Sequence, residues 1–351
     1  MTTMIALPVM SVEEAIVATA DAEESPAGPL IDGCGRVIDH LRLSVTGACD
    51  LRCAYCRPAG KAGYSALARA LSDAQRVDLV RLLYEAHGLK QLRITGGEPL
   101  LHPTLAPLLS AIRSAAPNLE IAMTTNGQRL AQTARVLHRA GLDRLNVSLD
   151  TLAPERYRNL TGGELRPVLE GLESAVAEGF PAPKINVVAL RGVNDDELAR
   201  LAQWAFRRGF EIRFLEAMPI GPAANFNRAH CLLGSEIKKR LGADFELRPL
   251  PRQAGETAAR FTAVSEFGEG IIGIIAPLSE SFCSQCRRIR VTADGKLFPC
   301  LLDSRHVDLS SCWRSGAFQA RRAMSLVCDV VNGKKQAGPL RQDTAMVSLG
   351  G

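Results

Sequence analysis

The 351-residue sequence has no window approaching the roughly 18 or more consecutive apolar residues expected of a membrane span. Residues 1–30 contain no Lys or Arg and five acidic residues, so the basic start of a secretory signal and the Arg-rich character of a transit peptide are both missing. Residues 1–35 are expected to form a poorly ordered extension, with a short docking helix around Val12–Thr19 as the alternative. No Lys/Arg run with interleaved aromatics occurs, and the net charge is only +5. That small excess argues against a nucleic-acid surface and suits a pocket for an anionic small molecule.

What is present is the composition of a globular protein, 46% hydrophobic and 23% charged, long enough for one barrel-sized domain or two smaller ones. Ten cysteines without an export signal point to a reducing compartment, the cytoplasm. There, clustered cysteines serve as metal ligands more often than as disulfides.

From residue 41 one unit recurs: a β-rich run, a polar or glycine turn, then a helix-period stretch. The strand-like runs are Leu41–Thr46, Gln91–Thr95, Glu120–Thr125, Arg144–Leu149, Lys184–Ala189 and Glu211–Glu216, several of them apolar nearly throughout. Ser72 is a natural cap for the helix that follows it, and Asn194 or Asp195 for the one ending at Gly209. Six such units predict an α/β fold with a parallel sheet, either a curved incomplete barrel or a doubly wound sheet. After residue 242 the pattern changes to strand-like runs with a turn at Asp294–Gly295, read as an appended sheet followed from Leu301 by a tail. The expected division is 1–35 extension, 36–242 partial barrel, 243–351 C-terminal region.

The chemistry is concentrated in cysteine. "GACDLRCAYCRP" (47–58) places Cys49, Cys53 and Cys56 directly after the first strand, where parallel α/β folds assemble active sites. A closed structural zinc site needs four ligands, and no His or fourth Cys lies nearby, so three thiolates would leave a metal position open. Buried cysteines or half a zinc knuckle are the alternatives. "FCSQCRRIRVTADGKLFPC" (282–300) supplies Cys283, Cys286 and Cys300, either a second open cluster or a zinc ribbon completed by Cys312 or His306. Cys34, Cys231, Cys312 and Cys328 stand alone and are expected to be buried. "RITGGEP" (93–99), "TTNG" (124–127) and "NVSLD" (146–150) end strands two to four; the two glycines permit a close approach to a ligand. Arg288 and Arg290 alternate along a strand and share a face.

The three-then-two spacing of the first cysteines resembles the radical S-adenosylmethionine (SAM) superfamily. That resemblance implies a [4Fe–4S] cluster with three irons on cysteine, whose fourth iron chelates SAM and whose electron cleaves it to a 5′-deoxyadenosyl radical. From Arg42 to Cys300 the stretches "LRLSVTGACDLRCAYC", "LRITGGEPL", "TTNG", "LNVSLDTL", "KINVVALRGVNDDE", "EIRFLEAMPIG" and "SFCSQCRRIRVTADGKLFPCL" resemble the GTP 3′,8-cyclase family of molybdenum cofactor synthesis. The resemblance implies an incomplete (β/α)6 TIM-like barrel with a C-terminal antiparallel β region carrying a second [4Fe–4S] cluster on Cys283, Cys286 and Cys300. It assigns Arg42, Gly350 and Gly351 to catalysis, and Tyr55, Gly97, Glu98, Ser148 and Met218 to SAM. GTP falls to Arg42, Arg93, Thr124, Lys184, Arg213, Arg288, Ile289 and Arg290, as suits a triphosphate that needs several cations.

The implied reaction abstracts the ribose 3′ hydrogen of GTP and gives (8S)-3′,8-cyclo-7,8-dihydroguanosine 5′-triphosphate. The implied partners are an electron donor such as flavodoxin or ferredoxin and a downstream cyclic pyranopterin monophosphate synthase, with a homodimer as a further expectation and neither nucleic acid nor membrane. Gly47 and Ala48 stand where the family usually has Asp-Arg, and Asp50 where Asn is common. The competing readings are a peptide-modifying radical SAM maturase with an auxiliary cluster and a structural zinc-binding protein.

Overall fold

Alternation within each strand builds the fold. The structure, a computed structural model, describes residues 28–57 and 70–336; the stretch around Val12–Thr19 and the terminal Gly350 and Gly351 lie outside the described residues. Its strands are β1 His40–Ser44, β2 Gln91–Thr95, β3 Glu120–Thr125, β4 Arg144–Ser148, β5 Lys184–Ala189, β6 Ile212–Glu216, β7 Glu246–Pro249, β8 Ala259–Ser265, β9 Gly268–Ile275, β10 Arg288–Val291, β11 Lys296–Phe298 and β12 Val307–Asp308. Leu41, Leu43, Leu92, Ile94, Ile121, Met123, Leu145, Val147, Ile185, Val187, Ile212 and Phe214 are buried in one continuous core. Each contributes on the order of 1.5–3 kcal/mol by leaving water. The residues between them are largely polar and face the other side, so these strands are apolar on one face only.

The described strands form one mixed sheet in the order β12-β11-β10-β1-β2-β3-β4-β5-β6-β9-β8-β7. β1 to β6 are parallel and follow one another without reversal, whereas a doubly wound sheet reverses its order at a switch point. The late strands do not make an appended sheet. β9 adds parallel to β6, and β10 adds parallel to β1 through Leu41↔Ile289 and Arg42↔Arg290. Each covers a row of backbone groups that an edge strand leaves open. Antiparallel hairpins β8–β9 and β10–β11 then extend both sides, the second turning at Asp294–Gly295 as expected.

The helix Asp73–His87 starts at a capping box, with Gln75 N donating to Ser72 Oγ (3.3 Å) and Ser72 N to Gln75 Oε1 (2.8 Å). The helix Leu198–Phe206 is preceded by Glu197 and not by Asn194 or Asp195. Asn194 is wholly buried and closes the turn after β5: its Nδ2 donates to Asp150 O (2.8 Å) and its Oδ1 accepts from Leu190 N (2.8 Å). Beyond Leu301 the chain forms β12, a 3-10 stretch Leu309–Gly316 and a helix Ala320–Asn332 that buries Ala323, Leu326, Val327, Val330 and Val331. Cys312 is buried and Cys231 and Cys328 half-buried, but Cys34 is exposed, because it sits at the tip of a tight turn whose ends, Asp32 and Arg36, are buried. No helix among the described residues is long and apolar enough to cross a membrane.

Candidate active site

A cavity of about 510 Å3 lies on the polar face of the sheet. Period-two alternation supplies its walls, and strand register sets its rows. Arg42 is level with Arg93 on one side and Arg290 on the other; Arg93 is level with Ala122, and Ala122 with Arg144. Above them Thr124, Asn146 and Lys184 form a second row, and Asn186 is level with Arg213. All of these residues line the cavity, as do Arg288 and Met218. Ile289 turns its side chain into the core, leaving only its backbone on this side.

The cavity is short of negative charge. Arg42 Nε and Arg93 Nη1 are buried without a hydrogen-bond partner, and neither guanidinium has an ion pair among the described residues. Burial, then Arg290 and Arg93, push Arg42 well below the ordinary arginine range; burial, then Arg213 and Arg288, bring Arg93 down to about 10. Arg290 falls to about 10, chiefly by burial. Glu211 answers part of the charge, accepting from Arg213 Nε at 2.6 Å and standing 3.2 Å from Lys184 Nζ. Burial raises the Glu211 carboxyl, but those two cations hold it below the usual range. Such a site suits a polyanion of several phosphates.

Cys283, Cys286 and Cys300 line the same cavity. Cys283 and Cys286 lie on one turn, with Cys286 N donating to Cys283 O (3.1 Å), and Cys300 follows β11 across the hairpin. Arg288 Nη1 lies 3.9 Å from Cys286 Sγ. Burial raises the Cys286 thiol, yet Lys334 and Arg288 bring it below its ordinary value.

The first cysteine loop is built differently. Its Cys56 N and Arg57 N both donate to Cys53 O, and Arg52 N and Ala54 N donate to Thr161 O and Leu160 O. Tyr55 OH donates to Asp150 Oδ2 (2.7 Å), and Asp150 Oδ1 accepts from Val188 N (2.8 Å), joining the loop to β4 and β5. Burial pushes Cys49 up to about 11, and burial with Asp150 and Cys56 raises Cys53.

Gly96 and Gly97 are explained by this loop. A Cβ on Gly96 would meet Thr46 O at 2.6 Å and one on Gly97 would meet Ala48 O at 2.2 Å, while Gly97 N and Glu98 N donate to those two carbonyls. The close approach is chain on chain, which also explains why Gly47 and Ala48 serve there through their backbones. Glu98, 1% exposed, accepts from Leu100 N, Thr125 Oγ1 and Asn126 N, so it braces "GGEP" against "TTNG". Asp50 accepts from Asn126 Nδ2 at 2.7 Å.

Tyr55, Gly97, Glu98, Ser148 and the first three cysteines stand outside the cavity wall described above, whereas Met218 belongs to it. Asn227 Nδ2 links the two regions, donating to Tyr55 O (3.0 Å) and Met218 O (2.6 Å). Among the described residues, no three His, Cys, Asp or Glu side chains are grouped to hold one metal ion. A four-iron cluster attaches each thiolate to a different iron and therefore needs its ligands further apart than zinc does. Two sets of soft sulfur donors, each lacking a fourth, fit such clusters. Asn146 and Asp150 lie in the motif "NVSLD", though neither was given a role of its own; alternation along β5 could have revealed Asn186, and nothing in the sequence pattern singled out Lys334.

Two family models match the chain, the Radical SAM superfamily over residues 43–205 and Molybdenum Cofactor Synthesis C over residues 210–338. A GTP 3′,8-cyclase of Paenarthrobacter nicotinovorans is 40% identical over 306 residues, covering 83% of this chain and 86% of its own. One from Moorella thermoacetica is 39% identical over 323 residues, covering 90% of this chain and 98% of its own. The Streptococcus suis SuiB structure with precursor peptide SuiA matches with TM-score 0.52 at 15% identity, over 80% of this chain and 66% of that one, a likeness of fold alone.

Proposed function

The chain belongs to the GTP 3′,8-cyclase family of the radical SAM superfamily, and from that premise we propose that it joins ribose C3′ of GTP to guanine C8, the first step of molybdenum cofactor biosynthesis. The observation that carries this reading is the pair of orphaned guanidinium groups, Arg42 Nε and Arg93 Nη1, buried in a cavity already crowded with cations. A nucleoside triphosphate offers acceptors to both, phosphate oxygens to Arg93 and the nucleoside's own acceptors to Arg42, and its negative charge offsets the crowded cations.

Arg93, Lys184 and Arg213 bind the phosphates, Thr124 the nucleoside, and Arg42 with Arg288 and Arg290 the end nearest the second cysteine set. Cys49, Cys53 and Cys56 hold the SAM cluster, and Cys283, Cys286 and Cys300 hold a second four-iron cluster. When bound, the first cluster and SAM supply the one-electron cleavage and the hydrogen abstraction. The protein's own contribution is placement: fixing the ribose against the SAM end of the cavity decides which hydrogen is taken. Tyr55, Gly97, Ser148 and Met218 shape the SAM side, and Glu98 acts there through the backbone it braces. Gly350 and Gly351 belong to the same reaction. The sheet is read as an incomplete barrel, supported by one cavity that takes residues from β1 to β6 and from β10. Residues 36–242 supply its six consecutive parallel strands and 243–351 the auxiliary-cluster region, working in the cytoplasm with a low-potential electron donor.

The test is incubation of anaerobically reconstituted protein with GTP, SAM and dithionite. Formation of 5′-deoxyadenosine together with a cyclised nucleoside triphosphate, both dependent on GTP, is expected. SAM cleavage that GTP does not stimulate would overturn the reading.

A further inference from the structure

Three cations hold the short segment that follows the last helix. Arg305 Nη2 donates to Gly333 O (3.0 Å), while Arg36 donates to Lys335 O (2.8 Å), Gln336 O (3.3 Å) and Cys283 O (2.5 Å). The third is Lys334, whose Nζ donates to Arg288 O (2.9 Å) and to Pro299 O. These contacts reach Cys283 itself, the residue before Cys300 and a residue two beyond Cys286.

The three differ in their counter-charges. Arg36 is answered by Asp32 at 2.6 Å and Arg305 by Asp303 at 2.6 Å. Lys334 is 5% exposed, lines the cavity with all three cysteines, and has no ion pair among the described residues. An ammonium has three N–H donors, and two are used here on carbonyls. A buried cation without an acid is costly, so a nearby anion is needed to offset it. A four-iron core in its oxidised form carries less positive charge than three thiolates carry negative, which makes a cluster at Cys283, Cys286 and Cys300 that anion.

We propose that Lys334 is a counter-cation of the second cluster, beside Arg288, and its positioning residue: it fixes the backbone beside the cysteines and offsets part of the cluster's negative charge. The inference rests on the second-cluster reading above. Pinned on either side by Arg305 and Arg36, the segment gives the ammonium a fixed place. Removing the positive charge favours the oxidised cluster and lowers its potential.

The test compares full-length wild type, Lys334→Met and Lys334→Arg after anaerobic reconstitution, reading iron per chain, melting temperature and the second cluster's potential by titration followed by electron paramagnetic resonance. The expected result is about eight irons in wild type, with Lys334→Met either shifting the second potential negative or losing that cluster's iron, and Lys334→Arg restoring the wild-type behaviour. An unchanged potential and iron content in Lys334→Met overturns the inference. Equal iron loss in both variants, with equally lowered melting, also overturns it by showing a packing role only. About four irons in wild type itself rejects the second-cluster reading instead, and the counter-cation with it.

Discussion

At the scale of single residues, the strongest constraints fall on backbone contacts and on unpaired polar atoms. Gly97→Ala places a methyl carbon 2.2 Å from Ala48 O and 2.6 Å from Ala48 C, both backbone atoms that cannot turn aside. The expected outcome is a loss of at least about 2 kcal/mol in stability and of iron from the first loop, read by urea melts and iron assay. Arg93→Ala removes a buried cavity cation that has no ion pair among the described residues. The KM for GTP should rise on the order of tenfold or more, with SAM affinity unchanged in a direct binding assay. The cysteines were legible because their chemistry depends on spacing along one short loop. Asp150 fell within a legible motif, but its role did not show, since that lies in meeting Tyr55 and Val188, which are distant in sequence.

At the scale of elements, the loops after β1, β2 and β3 form one braced unit through Glu98, whose N donates to Ala48 O while its carboxylate accepts from Thr125 Oγ1 and Asn126 N. Burial pushes the Glu98 carboxyl up to about 7 from an ordinary 4.5. A carboxyl raised in the folded state stabilises fully below about pH 4.5 and loses that contribution as pH rises through about 7. The loss amounts to about 3 kcal/mol. Wild type should therefore weaken more between pH 5 and pH 8 than Glu98→Gln does, as seen in urea midpoints; identical slopes would contradict this. The strands and the Ser72 cap were readable from alternation and local capping. The start of the Leu198–Phe206 helix was not, because Asn194 was drawn away to bond Asp150 O and Leu190 N.

At the scale of the whole molecule, the six parallel strands were legible from repetition, but the placement of the C-terminal strands was not. Whether "GIIGIIAP" pairs with its own hairpin partner alone or also joins β6 depends on long-range pairing that no local pattern encodes. The outcome matters, because β10 beside β1 brings Arg290 level with Arg42 and carries the second cysteine set to the cavity. Replacing Cys283, Cys286 and Cys300 with alanine should lower iron from about eight to about four per chain while retaining the SAM-binding loop.

GTP deuterated at C3′ reports which hydrogen is removed. With SAM and reductant, the expected result is deuterium in 5′-deoxyadenosine, with the cyclised triphosphate forming alongside. Unlabelled 5′-deoxyadenosine, with the deuterium still on GTP, would contradict it.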